Sequence, residues 1–396
     1  MKSPLAGLRI LTLENFGAGP FGSMYLADLG AEVIKIESRE QGGDATRSMG
    51  PHFLGAHDSH FFQTFNFNKR SVTLNLKSSR GREIFQRLVK TADAVMHNLR
   101  GDQPAKLGLT YADLRTANPR VVCAHLTAYG RDNERYAWPG YDYLMQAEAG
   151  YLSLTGEPGS PPSRMGLSIV DFMTGITTAL AVLAALRGAE KTGSGGDVDV
   201  SLFDVAMHQL TYPGSWYLNE GTLTGRLPRS SHPSATPVQL FRTADGWVFI
   251  MCMTEKFWQA LLGVLGNEAL ASDDRFIGAE QRRRHRDELT GLLDREFSRE
   301  TTATWLSRLQ GLLPAAPVYD MAQALDNPFV ERIGMLRKVQ HPQRANFRAL
   351  ANPIRLDRER LPMAPAAALG ADTADVLGEI GISADELSEL KKSAVI

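Results

Sequence analysis

The segment from Leu8 to Glu37 reads as strand, glycine-rich turn, helix and strand, and this order limits the fold more than any other feature of the chain. The apolar run Leu8-Arg9-Ile10-Leu11-Thr12-Leu13-Glu14 predicts one strand, and Ala31-Glu32-Val33-Ile34-Lys35-Ile36-Glu37 a second. Between them stand Gly17-Ala18-Gly19-Pro20-Phe21-Gly22 and the helical spacing Met24, Leu26, Ala27, Leu29. Strands joined through a helix lie parallel in a sheet that needs helices on its faces. The turn also fits G-x-G-x-x-G, with Glu37 placed where a dinucleotide-binding unit keeps the acid for a ribose hydroxyl. An NAD-dependent oxidoreductase is therefore one alternative, although no motif for hydride transfer accompanies the turn.

More strand and helix signals follow. Ser71-Val72-Thr73-Leu74-Asn75, Ala94-Val95-Met96 and Val121-Val122-Cys123-Ala124-His125-Leu126 read as strands, with a helix from Gly81 to Lys90. A helix starting near Asp171 is apolar on nearly every face, which predicts that it is buried inside the domain. After Asp204 glycine, proline, serine and threonine accumulate, and a linker is expected over 206–227. Val238–Arg242 and Trp247–Met251 then pair across Ala244-Asp245-Gly246, and helices follow to about Leu312. A chain of 396 residues exceeds what one core usually holds. The expected organisation is a large α/β domain over 1–205, completed by about 345–396, and a small α/β domain over 228–325 with a return linker over 326–344.

Composition removes several classes. Lys and Arg number 43 against 44 Asp and Glu, so no global field draws the protein to nucleic acid or an anionic membrane, and an anionic ligand must be held locally. The basic run Gln281–Arg286 reads as a solvated helix face. Cys123 and Cys252 sit in apolar strand-like runs, as small core residues in a reducing compartment do. The longest apolar run, Ile176 to Leu186, is shorter than the roughly 20 residues a bilayer requires. The N-terminal residues show no long apolar stretch, and a cytoplasmic location is expected.

Few residues carry candidate chemistry. His52, His57, Asp58 and His60 cluster without a metal-ligand spacing, so no metal is expected. His125 reads as a satisfied core histidine, and no G-x-S-x-G elbow is present. Met165-Gly166-Leu167-Ser168-Ile169-Val170-Asp171 is more telling, because it brings one carboxylate to the start of an apolar helix. Such an aspartate is either an N-cap or a functional group stabilised by the helix N-terminus.

The chain resembles the class III CoA-transferases, the family of formyl-CoA transferase and the carnitine CoA-transferases. The likeness rests on "LADLGAEVIKIE" at 26–37, "NFNKRSVTLNLKSSRGR" at 66–82, "NLRGDQPAKLGL" at 98–109, "PGYDYLMQAEAG" at 139–150 and the aspartate of "GLSIVDFMTG". It continues through "LRGAEKTGSGGDVDVSLFD" at 186–204, "HPSATPVQLFRTADGW" at 232–247 and "GADTADVLGEIGIS" at 370–383. The resemblance implies a Rossmann-like large domain, a smaller α/β domain and an interlocked, ring-like homodimer. It implies that the glycine turn faces coenzyme A as substrate, with no tightly bound cofactor. It assigns Asp171 as the nucleophile that takes the acyl group as a mixed anhydride, and the N–H groups near Gly17 and Ala18 as oxyanion donors. The other implied CoA contacts are Phe16, Arg39, Leu74, Lys77, Asn98, Arg100 and Lys106.

Departures from the family pattern narrow the expectation. Lys106 stands where arginine is frequent, and Ser38 with Arg39 replaces an arginine directly after the strand-ending acid. Formyl-CoA transferase has glutamine at the position of Gly17 and a run of glycines in the small domain, which makes formyl-CoA and oxalate poor expectations here. The α-methylacyl-CoA racemase branch is the closest alternative. Its "GHD" histidine corresponds to Tyr141 of Gly140-Tyr141-Asp142, a phenol with an ordinary pKa of about 10, poorly suited to accept a proton near pH 7.

Overall fold

The structure, a computed structural model, describes residues 3–396. One compact unit comprises the chain up to Ala149 with Met165–Thr211 and Phe329–Ile396; the other comprises Gly150–Arg164 and Tyr212–Pro328.

The first unit is built on six parallel strands: β1 Arg9–Leu13, β2 Glu32–Glu37, β3 Arg70–Thr73, β4 Ala94–His97, β5 Val122–Thr127 and β6 Gly196–Ser201. Their order is β3-β2-β1-β4-β5-β6. Leu11 pairs with Ile34 on one side and Val95 on the other. The side-chain alternation of a strand then divides the apolar residues between two faces. Leu11, Ile34, Val72, Val95 and Cys123 meet Ile84, Phe85 and Leu88 of helix α2 (Ser79–Val89), and Val376 and Leu390 from the C-terminal segment. Ile10, Val33, Met96 and Val122 meet Leu26 of α1 (Ala18–Asp28) and Val182 and Leu186 of α4 (Ile169–Thr192). Between them in sequence lies the short α3, Asp142–Glu148.

α1 and α4 touch backbone to backbone. A Cβ on Gly22 would lie 2.4 Å from the Gly175 carbonyl oxygen, and one on Gly175 would lie 2.5 Å from that of Ala18. Both glycines are needed for this approach, by which α4 brings its first turn beside the turn that follows β1.

Several expectations require correction. α4 is not enclosed: Val170, Thr174, Thr178 and Val182 are buried, whereas Ile176 is 45% and Leu180 67% exposed. At 24 residues it is also long and apolar enough, by length and composition, to cross a membrane, so the shorter apolar run understated it. β6 carries an alternation of acids and valines whose acids lie exposed at the sheet edge, too polar to be read as a strand of a parallel sheet. Pro20 is the third helical residue of α1, where its missing N–H is one that the first turn leaves unpaired. The span 206–227 contains a helix, Thr211–Glu220, and Gly150–Arg164 groups with the second unit. Within 326–344, β10 (Leu336–His341) pairs antiparallel with β11 (Arg344–Leu350), and Val339 and Phe347 pack on Met24 and Leu54 of the first unit.

The second unit has a three-stranded antiparallel sheet, with β8 (Trp247–Met251) between β7 (Val238–Arg242) and β9 (Ala315–Pro317). Its core includes Phe241, Val248, Trp258, Leu289, Phe297 and Trp305. The basic run is not wholly solvated: Arg282 is buried, donating to the Phe276 carbonyl and to Glu255, with its guanidinium over Trp258. Arg283 and Arg284 are exposed and pair with Glu280. Both cysteines are free and buried, and burial pushes each thiol up to about 12.

Candidate active site

In a parallel sheet, ligand crevices form where the strand order reverses. Here that point lies beyond the C-terminal ends of β1 and β4. The turn after β1 is fixed from two sides. Asn98 accepts from the Asn15 N–H over 2.8 Å and donates to the Asn15 carbonyl over 2.7 Å. Asp44 accepts from the Phe16 N–H over 3.3 Å, and Asn15 Oδ1 accepts from the Ala45 N–H. Phe16 adopts a left-handed conformation with φ 63°, which an aromatic residue takes only when its surroundings enforce it. A Cβ on Gly19 would meet the Asn98 side chain at 2.9 Å, so the third residue of the turn must be small.

Beneath the turn lies a group of buried charges. Lys35 Nζ donates to the Glu14 carbonyl over 2.9 Å and contacts Asp44 Oδ2 at 2.8 Å. Lys69 Nζ donates to Glu14 Oε1 and the Pro20 carbonyl, both over 2.8 Å. Burial draws Lys69 down to about 8 despite Glu14, whereas Glu14, which burial alone would raise, is held below the usual carboxylate range by Lys69 and Lys35. Glu37 is saturated: Oε1 accepts from Arg47 Nε and the Asp44 N–H, and Oε2 accepts from Arg47 Nη2 and Ser71 Oγ. The acid that completes the dinucleotide pattern on paper has no acceptor left for a ribose. Its task is to neutralise a buried arginine.

Asp171 sits in the first turn of α4 and is not its N-cap, which is Ser168. Its N–H donates to Asp142 Oδ2 over 3.0 Å. No group among the described residues donates to its carboxylate. Burial, reinforced by repulsion from Asp142, pushes it up to about 7. A Cβ on Gly17 would lie 2.6 Å from Asp171 Oδ2, so the carboxylate rests against the turn. One cavity is lined by Phe16, Gly17, Ala18, Asn98, Arg100 and Asp171, with Tyr141 at its wall in edge contact with Phe16, ring centroids 5.7 Å apart.

The remaining candidates lie further along. Leu74 and Lys77 line a second cavity with Leu13, Ser38 and Leu107, and Asn15 and Leu99 belong to both cavities. Arg39 lines a third, with His57 and Lys391. Lys106 lines none of these and is engaged with Asp102, 2.7 Å away, as is Arg100 at 3.2 Å. His125 is buried with both ring nitrogens occupied, Nδ1 2.6 Å from His97 Nε2 and Nε2 2.8 Å from Asp197. The Leu99 N–H donates to His97 Nδ1 over 3.2 Å, which places the His97 proton on Nε2 and the His125 proton on Nε2 facing Asp197. No group of three or more metal-ligating side chains occurs among the described residues.

The model of CoA-transferase family III matches residues 5–373. The chain belongs to CoA-transferase family III. It is an enzyme that moves coenzyme A between an acyl-CoA and a carboxylate. It is 32% identical over 386 residues to a succinate–glutarate CoA-transferase of Agrobacterium fabrum, covering 96% of each chain. It is 33% identical over 339 residues to an acetyl-CoA:oxalate CoA-transferase of Acetobacter aceti, covering 85% of this chain and 86% of that one. The crystal structure of a CaiB/BaiF family protein from Brucella suis matches with TM-score 0.83 and 31% identity over 96% of this chain and 100% of that one. These likenesses overturn the oxidoreductase alternative, and the saturated Glu37 supplies the physical reason.

What sequence reasoning missed at the site is its support. Tyr141 entered only as a missing histidine, although its place in "PGYDYL" before a helix puts it on the cavity wall. Asp142 drew no notice as an acid in a strongly matching segment. The Glu14, Lys35 and Lys69 group had no signal beyond charges in apolar runs.

Proposed function

We propose that this family III CoA-transferase works through an anhydride on Asp171. The observation that carries the reading is a half-shielded carboxylate with no hydrogen-bond donor among the described residues, resting against a glycine at a helix N-terminus. Asp171 Oδ2 attacks the thioester carbonyl, the C–S bond breaks, and CoA leaves as the thiolate. The acceptor carboxylate attacks the Asp171 carbonyl carbon of the anhydride and the donor acid leaves as its carboxylate, so that Asp171 now carries the acceptor acid as an anhydride. Thiolate attack on the acceptor's carbonyl carbon forms the new thioester and frees the Asp171 carboxylate. The N–H groups at the start of α1 stabilise the tetrahedral oxyanions.

CoA extends from this cavity past Asn15 and Leu99 to Leu74 and Lys77, with Asn98 and Arg100 near its diphosphate and Arg39 and Lys106 at its outer end. The parallel sheet in the order β3-β2-β1-β4-β5-β6 supports a Rossmann-like reading of the large domain. The exposed Ile176 and Leu180 of α4 support an interlocked homodimer, since such side chains require a cover. No tightly bound cofactor, no nucleic acid and no membrane partner is proposed, and the location is cytoplasmic. The substrates are short dicarboxylates such as succinate, the class named for the Agrobacterium relative. The Acetobacter relative's name adds oxalate to the acids that must be tried.

A panel of acyl-CoA donors against succinate, glutarate and oxalate, read by mass spectrometry, names the pair. Trapping with borohydride or hydroxylamine must mark Asp171 in the working enzyme, and Asp171→Ala must lose at least about 10³-fold in transfer while CoA still binds. Transfer retained by that variant overturns the reading.

A further inference from the structure

Asp142 is a buried carboxylate with no cationic partner among the described residues, and it lies directly behind the nucleophile. Its Oδ2 accepts from the Asp171 N–H over 3.0 Å, and its Oδ1 accepts from Gln146 Nε2 over 2.6 Å. Gln146 in turn donates to the Leu167 carbonyl over 3.2 Å, and its Oε1 accepts from the Met165 N–H over 2.9 Å. This two-residue relay on α3 therefore grips both ends of the segment that delivers Asp171. A buried anion served only by amide donors keeps most of its field, and that field acts on the nearest ionisable group.

We propose that Asp142 is a positioning residue for the transfer reaction: it fixes the Asp171 backbone and directs a negative charge at the Asp171 carboxylate that favours its acylation. The inference rests on the reading of Asp171 as acyl acceptor. Before attack, two negative carboxylates lie near each other in a partly dry site, joined through the Asp171 N–H. After attack Asp171 is an uncharged acyl anhydride, and the negative charge departs with the CoA thiolate. Repulsion from Asp142 is thus present in the ground state and gone in the acyl-enzyme, which is the differential effect that accelerates a step. The same repulsion helps to keep the Asp171 carboxyl protonated up to about 7, so the nucleophile is lost on the acid side.

The groups facing Asp171 are few. At the turn after β1 the titratable side chain is Glu14, buried against Lys35 and Lys69, and the first turn of α4 holds none beyond Asp171 itself. Tyr141 and Arg100 share its cavity, and Asp142 lies behind it.

The test is the pH profile of kcat/KM in the full-length enzyme, with acyl-Asp171 trapped by mass spectrometry at each pH. In the unmodified enzyme the acid limb lies near pH 7; a limb near 4 overturns the proposal without any variant. Asp142→Asn moves the limb at least about one unit lower and reduces the plateau rate about three- to tenfold, while the CoA dissociation constant changes less than about threefold. Asp142→Ser, also neutral, repeats the shift should the asparagine variant fold poorly. Equal loss at every pH with an unmoved limb means that Asp142 is structural only and overturns the proposal. Failure to trap acyl-Asp171 in the unmodified enzyme refutes the anhydride reading instead.

Discussion

A methyl group at Gly17 would lie 2.6 Å from Asp171 Oδ2, closer than any real carbon–oxygen contact. The φ of Gly17 is −99°, which every residue can adopt, so the requirement for glycine comes from the carboxylate and not from the backbone. Gly17→Ala must therefore fold and yet displace the Asp171 carboxylate, the proposed nucleophile. Its melting temperature is expected within a few degrees of the parent, with transfer lowered about 10²-fold, the loss expected from a displacement of about 1 Å. Kinetics beside a thermal melt check this, and a near-normal rate would show that Asp171 has room to adjust.

Asp171 also trades stability for function. Its proton affinity is raised in the folded protein, so between about pH 4 and pH 7 the folded state binds more protons than the unfolded one. Stability is undiminished below the unfolded value and falls as pH rises through 7. Asp171→Asn removes this penalty. It should stabilise the enzyme by roughly 1–3 kcal/mol at pH 8 and hardly at all at pH 4, measured by urea unfolding at both. An equal gain at both pH values would refute the electrostatic cause.

The helix crossing gives a paired prediction. Gly175→Ala sets a methyl group 2.5 Å from the Ala18 carbonyl and 2.9 Å from the Gly22 nitrogen, backbone atoms that cannot step aside. A loss of about 2–4 kcal/mol is expected, with reduced transfer in what remains folded. Gly188, on the same helix, has open space where its Cβ would stand. Gly188→Ala should be neutral or stabilise by up to about 1 kcal/mol. Chemical denaturation of both variants separates crowding from helix propensity.

Glu37→Gln tests the former ribose acid. Removing its charge leaves Arg47 buried without its anionic partner, an effect of about 3–5 kcal/mol on unfolding. CoA affinity of the folded fraction should stay within a few-fold by calorimetry. A variant of normal stability that loses CoA would make Glu37 a ligand contact.

The strands of the parallel sheet were readable because strands buried on both faces form apolar runs, as at Ile10, Leu11, Val33 and Ile34. β6 was not, because Asp197 and Asp199 alternate with valines at the sheet edge. Asp171, the proposed nucleophile, drew notice through its place at the start of an apolar helix and through its family motif. Its surroundings were not: Asp142 precedes it by 29 positions, and the pairing depends on how α3 meets α4. The G-x-G-x-x-G pattern misled for a related reason. A pattern records which residues are small, whereas the identity of the ligand depends on whether Glu37 is free, and Arg47 decides that from ten residues away.

The buried charges under the turn bear on design. Phe16 keeps its left-handed backbone because Asp44 and Asn98 hold the turn from either side, while Lys35 and Lys69 tie Glu14 and Asp44 below it. Those residues arrive from five separate stretches of chain. The hexapeptide Gly17–Gly22 grafted onto another α/β scaffold would carry its glycines but not its shape, and the smallest transplantable unit runs from β1 through Asn98, the residue after β4.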